Sequence, residues 1–245
     1  MSGLGSGAPD WDSAGRDRNR DRDRDGQGGG ESGTESSGES GGEVLVWYVA
    51  YGSNLHAARL ARYLRGGRPD GGAQAHPGSR DPRPPRRAVA TVLPGVLYFA
   101  DHSLTWGGGS AFYDPALPGE VPCRAYLVTV GQFSDVAAQE MRRSPGTDLD
   151  LAPVLAAGRA ELGPGRYETL LHVGESDGHP LLTFTAARGV AGAELNAPTP
   201  PYLRTLAAGL AESHGWGPWR TAGYLATRPG AAGHWTPAEV AALLL

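Results

Sequence analysis

Residues Val44 to Ala50 form an unbroken apolar run, Val-Leu-Val-Trp-Tyr-Val-Ala, which stops at Tyr51-Gly-Ser-Asn-Leu55. An apolar run of that length without alternation reads as a strand buried on both faces. The residues after it, His56 to Leu64, place Leu55, Leu60 and Leu64 near one helical face, with Arg59, Arg62 and Arg65 spread around it as a solvated set. A strand that ends in Gly-Ser-Asn before a helix leaves backbone N–H groups free at the helix start, and such groups bind carboxylates or oxyanions. The chain must therefore carry a sheet with this strand inside it and a binding loop at the strand's C-terminal end.

The 245 residues suffice for one ordinary domain with a tail. Residues 1–42 are Gly, Ser, Asp, Glu and Arg with almost nothing apolar, and Arg and Asp alternate between Arg16 and Asp25. Such a segment cannot bury enough surface to offset its ordering entropy, so a disordered tail is expected over 1–42 and a folded domain over 43–245. Net charge is −4, all 22 basic residues are Arg, and the tail holds most of the negative excess. The near-neutral remainder carries no electrostatic footprint for nucleic acid. One cysteine, Cys123, excludes an internal disulfide and a thiol-only zinc site. No apolar run approaches the roughly 20 residues of a membrane helix, and no secretory h-region opens the chain, so a cytoplasmic protein without membrane partners is expected.

Short strands are expected at Ala88–Leu93, Gly95–Ala100, Ser110–Tyr113, Arg124–Val130, Tyr167–Val173 and Leu181–Thr185, with a hairpin turn at Asp177-Gly-His-Pro180. Helices are expected at Phe133–Arg143 with Ser134 as N-cap, at Tyr202–His214 after Pro200-Pro201, and at Thr236–Leu245 with Thr236 as N-cap and Pro237 following. Trp219–Ala226 reads as a short helix or strand, and 144–165 as loop. Gly107, Gly108 and Gly109 after Trp106 permit positive φ or a close backbone approach. The order is α+β with a curled or barrel-like sheet and helices outside.

Glu140 lies with Val136 and Gln139 on one side of its helix. In an apolar pocket its carboxyl would have a raised pKa and serve as a general acid/base; on the surface it would pair with Arg142 or Arg143. The seven His show no His-x-x-x-His pair, so no metal site is expected. Asp101-His102 lacks local partners. No Gly-x-Ser-x-Gly elbow and no phosphate-binding loop in strand–helix context is present.

Three blocks resemble the γ-glutamylcyclotransferase-like (avirulence-induced-protein-like) family. They are Tyr48-Val-Ala-Tyr-Gly-Ser-Asn-Leu55, the turn Trp106-Gly-Gly-Gly-Ser-Ala111, and Pro198-Thr-Pro-Pro-Tyr-Leu203 followed by Leu206, Gly209 and Gly215. Val136-Ala-Ala-Gln-Glu-Met141 occupies the place of the family's Leu-Asp-x-x-Glu-Gly; the glutamate is kept as Glu140, while Leu-Asp and the final Gly are not. The resemblance implies a mixed β-barrel of short strands flanked by helices. It also implies an enzyme of transferase or lyase type that needs no cofactor or metal.

The implied reaction cyclises a γ-glutamyl amide to 5-oxoproline and releases an amine, as in glutathione metabolism. Glu140 would be the general acid/base. Tyr48, Val49, Ala50, Tyr51, Gly52, Ser53, Asn54 and Tyr202 would bind the small-molecule γ-glutamyl substrate, with Asn54 bracing the loop. Two other readings of the same scaffold are an amide hydrolase or deacylase in which Glu140 activates water, and a non-catalytic small-molecule-binding module.

Overall fold

The computed structural model of the protein describes residues 43–67 and 75–245; the expected disordered tail over 1–42 lies outside them. Its centre is strand β1, Leu45–Ala50. On one side β1 pairs antiparallel with β5, Glu120–Thr129, and on the other it runs parallel to β8, His179–Thr185. Strand β2, Arg87–Pro94, extends the sheet beyond β5. Strands β7, Thr169–Ser176, and β6, Arg159–Glu161, extend it beyond β8. The order is β2-β5-β1-β8-β7-β6, a mixed sheet, and β3, Val96–Ala100, pairs with β4, Ser110–Asp114, as a separate ribbon.

β1 is continuous in apolar residues because both of its faces are covered. Trp47, Val49 and Tyr51 enter one core with Phe99, Val121, Leu203 and Leu206, and Val46, Tyr48 and Ala50 enter a second with Phe133, Leu182 and Phe184. Helix α1, Ala57–Arg65, and helix α2, Val130–Glu140, flank the second core. Helix α4, Pro200–His214, helix α5, Pro218–Ala226, and helix α6, Pro237–Leu244, close the first. The α+β class and the flanking helices agree with the sequence reading. The 218–226 segment resolves as helix.

Two expectations are corrected. Ser134 does not cap α2. Thr129 does, accepting from the Gln132 N–H while the Gln132 side chain accepts from the Thr129 N–H. This reciprocal box starts the helix on the residue after β5. Ser134 is buried, and its Oγ accepts from the Leu149 N–H at 2.9 Å. Residues 144–165 are not all loop, since α3, Ala152–Ala157, and β6 form there. The Asp177-Gly178 turn joins β7 to β8 with φ of 51° and 74° at its two central residues. That is the primed geometry which matches strand twist and favours Asp-Gly.

One close approach fixes the loop after β1, and one buried acid ties α2 to the segments around it. A Cβ added at Gly209 on α4 would lie 2.5 Å from Leu55 Cβ and 2.7 Å from the His56 nitrogen, so glycine is what lets α4 approach the loop. The buried Asp135 of α2 accepts from the Ser79 hydroxyl, the Arg80 N–H and guanidinium, and the Gly146 N–H. Among the described residues, no helix is long and apolar enough to cross a membrane.

Candidate active site

A cavity of about 520 Å³ opens where the end of β1, the end of α2 and the start of α4 converge. β1 hands its chain to a single 3-10 turn, Ser53–Leu55. The carbonyls of Gly52 and Ser53 accept from the Leu55 and His56 N–H groups. Among the described residues, no acceptor meets the N–H groups of Gly52, Ser53 or Asn54. Gly52 and Ser53 line the cavity, as do Tyr48, Tyr51, Asn54, Glu140 and Tyr202. Val49 and Ala50 do not. The pleat turns their side chains into the two cores, and the Val49 carbonyl accepts from the Thr183 hydroxyl at 2.8 Å.

Glu140 is the last residue of α2 and is half-buried. The Asn54 amide donates to its Oε1 at 3.1 Å and to the Tyr48 hydroxyl at 3.1 Å. The Asn54 side chain thus ties the loop to Tyr48 of β1 and to the carboxylate at the end of α2. The Asn54 Oδ1 is buried without a partner among the described residues. Burial raises the Glu140 pKa above the ordinary value of 4.5, and the neighbouring Tyr63 hydroxyl, Arg59, Asn54 and Arg166 pull it back only in part. The result is a carboxylate that holds a proton more tightly than a surface glutamate. Tyr202 is buried opposite. Its hydroxyl accepts from the Ala111 N–H at 3.2 Å, and its ring stacks on Trp106 with centroids 5.1 Å apart. A Cβ at Gly52 would stand 3.6 Å from that hydroxyl, so loop and tyrosine face each other directly.

The Gly-rich turn supplies Trp106 to the cavity wall. Gly107 has φ of 79°, while added Cβ atoms at Gly108 and Gly109 would strike the Ala197 and Asn196 carbonyls at 2.6 and 2.0 Å. Both reasons for glycine therefore operate within three residues. Cys123 is buried in the sheet, and burial pushes its thiol well up, as suits an inert side chain. Asp101 pairs with Arg188 at 3.0 Å and with Arg166 at 3.7 Å rather than with His102.

Several wall residues have no counterpart in the sequence reading. Arg59, Tyr63, His76, Arg166 and Tyr167 all line the cavity. Arg59 is 6% exposed and not part of a solvated face. Its guanidinium lies over the rings of Tyr63 and Trp106, 5.2 and 5.4 Å from their centroids. The available signal was spacing: Leu55, Arg59 and Tyr63 follow at i, i+4, i+8, on one helical side. Among the described residues, no three His, Cys, Asp or Glu side chains group as metal ligands could.

No family model matches the chain. A curated relative from Arabidopsis thaliana, histone deacetylase 5, is 30% identical over 191 residues, which is 69% of this chain. The chain spans only 28% of that relative's length. Among solved structures, an uncharacterized protein from Homo sapiens superposes with a TM-score of 0.47 at 17% identity, covering 82% of this chain and 99% of the other. YkqA from Bacillus subtilis gives 0.42 at 18% identity, covering 76% and 55%. A γ-glutamyl cyclotransferase gives a TM-score of 0.44 at 16% identity, covering 82% of this chain and 98% of that enzyme, and is thus among the structures this chain is similar to.

Proposed function

We propose that the protein is a γ-glutamyl cyclotransferase: it closes a γ-glutamyl amide on itself, giving 5-oxoproline and a free amine. The observation that carries this reading is one carboxylate of raised pKa, Glu140, held by Asn54 in a cavity whose opposite walls are unpaired loop N–H groups and the Tyr202 hydroxyl. The substrate's α-ammonium gives a proton to Glu140, and the freed amine attacks its own γ-carbonyl carbon. As the C–N bond of the ring forms, charge builds on the carbonyl oxygen. The Gly52 and Ser53 N–H groups would donate to that oxyanion. Glu140 then passes its proton to the leaving nitrogen as the old amide bond breaks, and the ring nitrogen gives up its second proton to the released amine, which departs as an ammonium. Holding the chain curled is a proximity effect that lowers the barrier by several kcal/mol, about 7–11 at the upper limit.

The test is release of 5-oxoproline from a panel of γ-glutamyl amino acids and amines. Activity in the wild type and its loss in a folded Glu140→Gln variant support the reading; a silent wild type across the panel ends it.

A second reading takes its support from the plant relative's name. On the same site Glu140 would activate water against an acyl amide, and the product would be a free acid. Product analysis separates the two, because cyclisation of a γ-glutamyl donor yields 5-oxoproline and hydrolysis yields glutamate.

A further inference from the structure

Among the described residues, four arginines line the cavity against the single carboxylate Glu140. Two of them are already matched: Arg143 to Glu168 and Arg166 to Asp101. Arg142 is exposed. Arg59 differs from all three. It is 6% exposed, yet no carboxylate among the described residues pairs with it. Its Nη1 meets His76 Nε2 at 3.1 Å, its Nη2 meets the Tyr63 hydroxyl at 3.5 Å, and its Nε has no partner among the described residues. A guanidinium can only donate, so His76 Nε2 must accept and carries no proton. The partner is therefore neutral, and burial together with Arg59 holds the His76 pKa down at about 4. Buried arginines are rare unless a negative group answers them. Here two aromatic rings and a neutral imidazole hold the cation in place; Glu140 acts on it across the cavity, but among the described residues no carboxylate makes an ion pair with it.

We infer that Arg59 is the docking point for the α-carboxylate of the γ-glutamyl unit. This rests on the reading above and assigns the carboxylate to a side chain, leaving the Gly52 and Ser53 N–H groups to the γ-carbonyl. The spacing fits. The Tyr63 hydroxyl lies beside both Arg59 and Glu140, so the cation stands one hydroxyl away from the proton acceptor. In the substrate, the carboxylate stands one carbon away from the ammonium. Binding the first group on Arg59 brings the second to Glu140. His76 is a positioning residue, because it fixes the guanidinium without neutralising it.

Two measurements test the assignment. The first is calorimetric binding of 5-oxoproline against its carboxamide. Wild type should prefer the acid roughly 10- to 100-fold, the range of a charge-assisted pair. Arg59→Met should abolish the preference and Arg59→Lys should keep part of it, which guards against a variant that simply misfolds. The second is turnover of a γ-glutamyl donor against the same donor with its α-carboxylate amidated. If Arg59 only tunes Glu140, Arg59→Met will slow both donors equally and move the acid limb of both, and the assignment falls. It falls too if wild type binds 5-oxoproline no better than the carboxamide. Absence of turnover with Arg59-dependent acid binding would instead sink the cyclotransferase reading and leave Arg59 as a carboxylate site.

Discussion

The Asn54 side-chain amide sits 3.1 Å from Glu140 Oε1, joining the loop after β1 to the last residue of α2 across 86 positions of sequence. This bond opposes the burial that raises the Glu140 pKa. Asn54→Ala should therefore push that pKa higher still. In the proposed reaction Glu140 must be ionised to take a proton, so kcat/KM should rise through its pKa, and the acid limb in the variant should shift to higher pH. A limb that stays in place would show that Asn54 does not touch the reacting carboxylate in solution.

Glu140→Gln should lower kcat by about 10²- to 10⁴-fold, the range of a lost general acid/base. It should not cost stability. Because the folded-state pKa is raised, wild type has its fullest contribution from this group below 4.5, where both states hold the proton. That contribution declines as pH rises through the folded pKa. The glutamine variant lacks this decline, so its Tm advantage should open above about pH 4.5 and then level off. Thermal melts from pH 4 to 8 check both sign and window.

Gly209→Ala should destabilise the fold by about 1–3 kcal/mol, as overpacking does. The added methyl would press on Leu55 and the His56 backbone, next to the site loop. The variant should also bind substrate more weakly, because the loop must move to admit it. Denaturant melts together with KM report the two effects; a loss of stability with KM unchanged would show that the loop is not displaced.

Asp135 is fully buried. Burial alone would raise its pKa, but hydrogen bonds from Arg80, Gly146 and Ser79 outweigh it and hold the group below 3.8. A depressed pKa contributes stability above the unfolded value and loses it as pH falls through the folded one. Asp135→Asn should thus cost about 2 kcal/mol at neutral pH. The gap from wild type should narrow only below about pH 4. A gap independent of pH would assign the loss to packing instead of charge.

β1 is legible in the sequence because its two buried faces leave no alternation, and the Asp177-Gly178 turn because few residue pairs tolerate positive φ twice. Glu140 stands out on periodicity together with its place in a motif. Ser134 misleads for a physical reason. It is a good capping residue, but Thr129 and Gln132 form a reciprocal cap five positions earlier, and no pause separates strand from helix. Arg59 is hidden for another. Its burial depends on Trp106 and His76, which reach it from distant segments, and local pattern cannot report a contact made by folding.

The cap on Thr129 has a consequence for how the site can change. With no connector between β5 and α2, the sheet itself sets the starting angle of the helix. Each residue then turns the helix by about 100°. The direction in which Glu140 points is thus a matter of counting from Thr129. A substitution along α2, whatever it costs in packing, leaves that direction unchanged so long as the count is kept, but a single deletion between cap and carboxylate would swing the acid out of the cavity.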